Sequence, residues 1–115
     1  MEPFWPSTDW LSARSAISPD TTALEVSGRS FSFGRIDAMV SSLRGHLARQ
    51  GVGKGDHVGM FMPNSLAAVC TIFATARMGA VLVPLNIRLT AEELAWQIRS
   101  SHCTWVICQA PIDKR

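Results

Sequence analysis

The sequence predicts an α/β fold in which a short hairpin precedes alternating strand and helix units that form a mainly parallel sheet. From residue 57 to residue 108, apolar runs of strand length alternate with segments of helical periodicity. Such alternation is typical of parallel strands joined by right-handed crossover helices. Before it, a tight turn at Ser27-Gly28 separates two short β-prone segments and indicates a hairpin.

The first predicted helix lies near the N-terminus, where Ser7 or Thr8 can cap it by accepting from the free backbone N–H groups of its first turn. The segment 18–20 (Ser-Pro-Asp) ends this helix. The hairpin strands follow at about residues 24–26 and 29–31. The predicted apolar face of the helix consists of Trp10, Ala13 and Ile17.

The second predicted helix has the clearest amphipathic pattern in the chain. It begins after Ser32 and ends at Gly51, because a glycine commonly follows the last helical residue. Its apolar residues recur at steps of three or four and therefore share one face. They are Phe33, Ile36, Val40, Leu43 and Leu47.

Strands are predicted over residues 57–62, 81–85 and 104–108. The run 81–85 is continuously apolar, which predicts a parallel strand covered on both faces. The helix predicted over 66–78 is apolar nearly all round, so we expect it to be buried on more than one side. Asn64 or Ser65 caps it.

The last predicted helix begins with a capping box. Thr90 and Glu93 have the spacing at which each side chain binds the backbone N–H of the other residue. The apolar face of this helix consists of Ala91, Leu94, Ala95 and Ile98.

The composition is that of one ordinary globular domain. Of 115 residues, 47% are hydrophobic and 17% are charged, which differs from disordered and fibrous chains. A net charge of +2 gives no electrostatic basis for binding nucleic acid or an anionic membrane.

The segment 58–76 is uncharged and almost long enough to span a bilayer. Its internal Pro63-Asn64-Ser65 indicates a strand-to-helix turn instead.

The cysteine pattern and the N-terminus favour a cytoplasmic location. Cys70, Cys103 and Cys108 are odd in number and unevenly spaced, unlike a disulfide framework, which favours a reducing compartment. The first residues contain neither a basic leader nor a long apolar core, so no signal peptide is predicted.

No catalytic or metal site is predicted from residue spacing. His46, His57 and His102 accompany Cys103 and Cys108 without a CxxC pair or a spaced histidine pair. We interpret both cysteines as small apolar fillers. A Gly-x-Ser-x-Gly nucleophile elbow is also absent from the sequence.

The glycine-rich segment 51–55 resembles a phosphate loop only in composition. A phosphate loop places its glycines after a strand and before a helix, whose N-terminus then faces the phosphate. Here the glycines follow a predicted helix and precede a strand, and no Ser or Thr follows Lys54. The pattern therefore predicts a helix stop and a turn.

Arg88 is the candidate binding residue. It lies in a short loop between the strand 81–85 and the helix that Thr90 caps. A cation before a helix N-terminus is unfavourable to the helix dipole unless an anion binds to both. Two interpretations remain open: an anion site, or a solvated loop arginine with Glu92 and Glu93 serving the dipole.

Three segments taken together resemble the adenylate-forming (AMP-binding) enzymes. They are residues 53–58, 62–65 and 77–86, which read GKGDHV, MPNS and RMGAVLVPLN. The resemblance extends over about residues 9–107. Within the family, residues 85–94 are similar to the acyl-CoA synthetase or ligase branch.

The resemblance implies the N-terminal part of an ATP-dependent carboxylic acid:CoA ligase, with fatty acid metabolism as the expected setting. Such an enzyme joins a small-molecule carboxylate to AMP and then transfers the acyl group to coenzyme A. ATP, Mg²⁺ and coenzyme A are implied for the complete enzyme, and Arg88 is placed near the coenzyme A phosphates. The phosphate loop and catalytic lysine lie downstream in this family. We therefore expect residues 1–115 to be one incomplete domain that binds no cofactor and is inactive alone.

The alternative is a free-standing, non-catalytic α/β interaction module or a broken-gene remnant. Finding the phosphate-loop pattern in the DNA downstream of Arg115 would favour the ligase. In either case, the strand 81–85 and the helix 66–78 need more cover than so few helices supply. We expect exposed apolar surface, and self-association or the need for a partner.

Overall fold

The computed structural model describes residues 9–109. Four helices in this part of the chain are α1 (Trp10–Ile17), α2 (Phe33–Gln50), α3 (Leu66–Met78) and α4 (Ala91–Ser100). The strands are β1 (Thr22–Val26), β2 (Arg29–Ser32), β3 (His57–Phe61), β4 (Val81–Pro84) and β5 (Trp105–Cys108). The predicted α/β fold class is confirmed.

The strands form an antiparallel hairpin and a parallel sheet. β1 pairs with β2, and the three-stranded sheet has the order β4-β3-β5. Val58 lies opposite Leu82 on one side and Trp105 on the other. Because side chains alternate along a strand, these three residues share one face, and Gly59, Val83 and Val106 share the second face.

The first face of the sheet is covered by α2 and α3. Val40 of α2, Ala74 of α3 and Val58 of β3 belong to one core cluster and are fully buried. The predicted stripe of α2 is confirmed, because its five apolar residues are buried in this core or packed against it. Ser32 caps the helix by accepting from the Arg35 N–H at 3.1 Å, and Gly51 ends it with φ 111°.

The predicted apolar face of α1 is wrong. Leu11 is 2% exposed whereas Ile17 is 77% exposed, and Trp10 retains only an edge contact with Phe73. Asp9 caps the helix by accepting from the N–H groups of Leu11 and Ser12; Ser7 and Thr8 lie outside the described residues. Asp9 also forms an ion pair with Arg77 of α3, which ties the start of α1 to that helix.

The prediction that residues 81–85 are covered on both faces is wrong. Val81 is 44% exposed, although Leu85 is buried. β4 is an edge strand, and α3 packs against one of its faces, while on the opposite face Val83 is only half-buried. Likewise, α3 buries one broad side and leaves Ile72 exposed.

The capping box of α4 is confirmed. The Glu93 N–H donates to Thr90 Oγ1 at 3.2 Å, and the Thr90 N–H donates to Glu93 Oε1 at 3.0 Å. The backbone N–H of Thr90, and after it the Thr90 side chain, lower the pKa of the Glu93 carboxyl. The helix itself contains no buried residue: Leu94, Ala95 and Ile98 are half-buried, and Ala91 is exposed.

The uncharged segment 58–76 folds as β3, a turn and most of α3, as predicted. Among residues 9–109, every helix is too short or too polar to cross a membrane.

Candidate functional site

The carboxyl ends of the three parallel strands meet at one edge of the sheet. β3 ends at Phe61, β4 at Pro84 and β5 at Cys108, and the loops 62–65 and 85–90 leave from this edge. Open parallel α/β sheets bind ligands at the carboxyl ends of their strands. This edge is therefore the candidate site.

The loop 85–90 is anchored at both ends. The Leu85 N–H donates to the Met60 carbonyl at 3.0 Å. The Leu85 side chain packs over Gly59, where an added Cβ would lie 2.8 Å from Leu85 Cδ1. Asn86 Oδ1 accepts from the Arg88 N–H at 2.9 Å, and Thr90 then caps α4. These contacts hold the backbone that presents Arg88.

Arg88 itself is exposed. Among residues 9–109, no carboxylate lies within ion-pair distance of its guanidinium. A guanidinium presents a planar set of donors that fits phosphate and carboxylate oxygens. The geometry thus leaves Arg88 able to bind an anion at the sheet edge, and both interpretations of this residue remain open.

Two open grooves adjoin the same edge. The first has a volume of about 410 Å³ and includes Ile87 of the loop; it is lined by Phe61, Met62, Pro63, Ile87, Cys108 and Gln109. The second has a volume of about 580 Å³ and lies among α2, α3 and β5, with Leu43, Leu66 and Ile107 in its wall. Grooves of this size with mostly apolar walls suit the apolar part of a small ligand.

The cysteines differ in environment. Cys70 is buried in the core, and burial raises the pKa of its thiol. Cys103 is half-buried, with Sγ 3.3 Å from Ser101 Oγ. Cys108 is exposed, so the interpretation of this residue as an apolar filler is wrong. It shares the second face of the sheet with Val106, which is also exposed.

The histidines and cysteines do not form a metal centre. His57 Nδ1 donates to the Ser101 carbonyl at 2.9 Å, at the amino end of β3 and away from the candidate site. Within residues 9–109, there is no group of three or more His, Cys, Asp or Glu side chains able to hold a metal ion. The described residues therefore offer no such ligand cluster for the Mg²⁺ implied by the family.

The glycine-rich segment 51–55 lies at the amino end of β3, opposite the candidate site. The Gly53 N–H donates to Asp56 Oδ2 at 2.7 Å, and the Gly55 N–H donates to the Gly79 carbonyl at 2.9 Å. These donors are used within the fold, and the segment leads into a strand. The predicted helix stop and turn is confirmed.

A partly buried ionic cluster around Arg77 was not predicted from the sequence. Arg77 of α3 binds Asp9 before α1 and Asp37 of α2, and it donates to Ser41 Oγ at 2.9 Å. Burial lowers the pKa of Arg77, but the hydrogen bonds to Asp37 and Asp9 outweigh it and raise the pKa. The sequence feature that could have indicated this cluster is a single arginine on an otherwise uncharged helix. The cluster joins three helices.

The chain belongs to the AMP-binding enzyme family, whose model matches residues 11–115. Among curated relatives, it is 37% identical over 100 residues to 2-succinylbenzoate–CoA ligase from Bacillus anthracis, covering 87% of this chain and 20% of that protein. It is 33% identical over 107 residues to the ligase of the same name from Bacillus cereus, covering 93% and 22%. The chain therefore spans about a fifth of the length of these relatives.

Solved structures give the same result. The N-terminal domain of FACL13 from Mycobacterium tuberculosis matches with a TM-score of 0.81 and 31% identity, over 87% of this chain and 26% of that one. The O-succinylbenzoate coenzyme A synthetase of Bacillus subtilis, in complex with ATP and magnesium ion, matches with a TM-score of 0.84 and 25% identity, over 91% and 29%. The predicted family and fold are confirmed.

Proposed function

We propose that this chain is the N-terminal segment of an ATP-dependent carboxylic acid:CoA ligase. In that reaction, ATP and a carboxylate give an acyl-adenylate and pyrophosphate, and coenzyme A then takes the acyl group as a thioester. The observation that carries the proposal is the family match over residues 11–115, together with 37% identity to a CoA ligase.

Within the enzyme, this segment is a scaffold and carries no catalytic residue. Its support is the contrast between a well-packed core and the lack of a metal-binding cluster in residues 9–109. Adenylation needs donors, cations and a metal converging on the phosphates. The chain alone is therefore expected to be inactive.

The acid belongs to the class of small-molecule carboxylates. The Bacillus relatives are named for 2-succinylbenzoate, and one solved neighbour is a Mycobacterium tuberculosis fatty acyl CoA synthetase that is 31% identical. Fatty acid metabolism is therefore one setting for the enzyme. The three free cysteines support a cytoplasmic location.

Arg88 contributes to binding the coenzyme A phosphates in the complete enzyme. The support is its exposure, its anchored loop and its position at the carboxyl edge of the sheet. Here coenzyme A is bound by the complete enzyme and not by the chain alone.

Self-association is the proposed behaviour of the isolated chain. Val81 and Val106 are exposed apolar residues of the parallel sheet. The outer edges of β4 and β5 have no strand partner among residues 9–109, and open edges favour pairing with another chain. This surface is also the observation that favours the alternative function, a free-standing interaction module.

A chimaera tests the ligase proposal. Residues 11–115 would replace the matching segment of the Bacillus anthracis 2-succinylbenzoate–CoA ligase. We expect 2-succinylbenzoate-dependent ATP–pyrophosphate exchange and thioester formation, because the segment supplies the scaffold on which the relative's own catalytic residues depend. The chain alone and the ligase without this segment serve as controls, and both should stay at background.

Circular dichroism and a cooperative thermal transition would establish that the chimaera folds. A folded chimaera without pyrophosphate exchange would contradict the proposal and favour the interaction module. Exchange catalysed by the isolated chain would contradict the scaffold role.

Arg88→Ala in the active chimaera tests the binding residue. We expect coenzyme A to bind about tenfold more weakly, as for the loss of an exposed charged contact, while pyrophosphate exchange is unchanged. Arg35→Ala, an exposed arginine of α2, is the matched control. Equal affinity of the Arg88 and Arg35 variants for coenzyme A would establish the solvated-loop interpretation.

A further inference from the structure

The outward side of α4 carries three exposed residues, Glu92, Trp96 and Arg99, which we name the α4 stripe. Their spacing of four and three positions places them on one side of the helix. Trp96 is 65% exposed, compared with 57% for Trp10. Tryptophan and arginine are the residue types that most often dominate protein interfaces.

An open groove lies beside the α4 stripe. It has a volume of about 410 Å³ and is lined by Leu89, Glu92, Glu93, Trp96 and Gln97. Gln97 Oε1 is buried and has no hydrogen-bond donor within residues 9–109.

The charge pattern of the α4 stripe is complementary to itself. Glu92 lies in the first turn of the helix, Arg99 in the last turn, and Trp96 near the midpoint between them. If two copies of α4 lie antiparallel across a two-fold axis, Glu92 of each copy faces Arg99 of the other. A parallel arrangement would instead place like charges together. An isologous dimer is thus the arrangement that satisfies both charges.

We propose that a second copy of this chain binds the α4 stripe and forms a two-fold symmetric dimer. Trp96 of each copy enters the groove of the other. The dimer adds α4 as a second surface to the self-association proposed above, which rests on the open sheet edges. It does not depend on ligase activity, which the pyrophosphate exchange of the chimaera tests separately.

Sedimentation equilibrium of the chain and its charge-reversed variants tests this dimer. Glu92→Arg alone and Arg99→Glu alone each place like charges together twice across the axis, and we expect each to weaken dimerisation by about tenfold or more. The double variant restores both pairs in reversed order, so we expect its dissociation constant to return close to the original. Trp96→Ala should weaken the dimer by about thirtyfold.

Arg44→Glu, an exposed charge reversal on α2, is the matched control and should not change dimerisation. Circular dichroism checks that each variant folds, and Glu92→Gln with Arg99→Gln provides milder changes if a reversal unfolds α4. A chain that sediments as a monomer would overturn the proposal. It would favour contact of the α4 stripe with another part of a longer enzyme. Dimerisation that all these changes leave intact, or a double variant that fails to recover, would also overturn it.

Discussion

Helices α2 and α3 are attached to the rest of the fold in a different way from α4. α2 and α3 share a continuous core with β3 and include fully buried residues such as Val40 and Ala74. α4 is equally well formed locally, with a complete capping box, yet contains no buried residue and makes only sparse contact with the other elements of residues 9–109. Local helix signals and tertiary attachment are therefore separate properties in this chain.

The largest effect on stability is expected from a charge placed in the core that α2 and α3 share with β3. Val40→Asp buries a carboxylate with no partner, and we expect it to cost about 4 kcal/mol or more of unfolding free energy. Ile72→Asp is the matched control, because Ile72 is on the exposed side of α3, and it should cost about 0.5 kcal/mol. Urea unfolding monitored by circular dichroism measures both. Similar losses for the two variants would mean that Val40 does not lie in a closely packed core.

The ionic cluster around Arg77 gives the next largest effect on stability. Arg77→Ala leaves Asp9 and Asp37 without their cation, and we expect a loss of about 2 kcal/mol, since both carboxylates are partly exposed. Arg77→Lys should recover only part of it, because an ammonium cannot bind both carboxylates as a planar fork. Arg44→Ala is the exposed control on α2.

The cluster also predicts a pH dependence. Because the pKa of Arg77 is raised in the folded chain, its contribution is complete below the ordinary pKa of an arginine side chain and is lost only as pH rises through the still higher pKa of the folded chain. Deprotonation of Arg77 should therefore not change the difference in unfolding free energy between wild type and Arg77→Ala from neutral pH to about pH 10. A change of that difference that follows deprotonation of Arg77 in this range would contradict the assignment.

Two cap substitutions compare how firmly α3 and α4 are attached to the rest of the fold. Ser65 and Thr90 each accept from a backbone N–H of the first turn, in α3 and α4 respectively. We expect Ser65→Ala to lower the global unfolding free energy by about 1 kcal/mol. Thr90→Ala should instead increase hydrogen exchange within α4 by about fivefold and leave global unfolding almost unchanged. Equal effects on global unfolding would show that α4 unfolds together with the core.

The smallest effect is acid fraying of α4. The backbone and side chain of Thr90 lower the pKa of Glu93 below its ordinary value of 4.5, so the cap is complete above that value and weakens as pH falls through the folded pKa. Hydrogen exchange in the first turn of α4, corrected for its intrinsic pH dependence, should increase at about pH 3 relative to about pH 6. Glu93→Gln should remove this pH dependence. Its persistence in that variant would assign the fraying to another group.

The candidate site was only partly visible in the sequence. Arg88 and its position before a capped helix were predicted, because Thr90 and Glu93 are a local signal. The grooves beside it were not, since they depend on Met62, Ile87 and Cys108, which meet only when parallel strands end at one edge. The same applies to Arg77, whose partners Asp9 and Asp37 are distant in the chain.

The sequence by itself determined the helices, the strands, the turns and every cap except that of α1, because each depends on residues within three or four positions of one another. Ser32, Gly51 and the capping box of α4 are examples. Tertiary structure alone decided which side of α1 is buried and how much of Val81 is exposed. The physical reason is that burial depends on which distant elements pack against a surface, and the apolar pattern of a segment specifies that surface without specifying its partner.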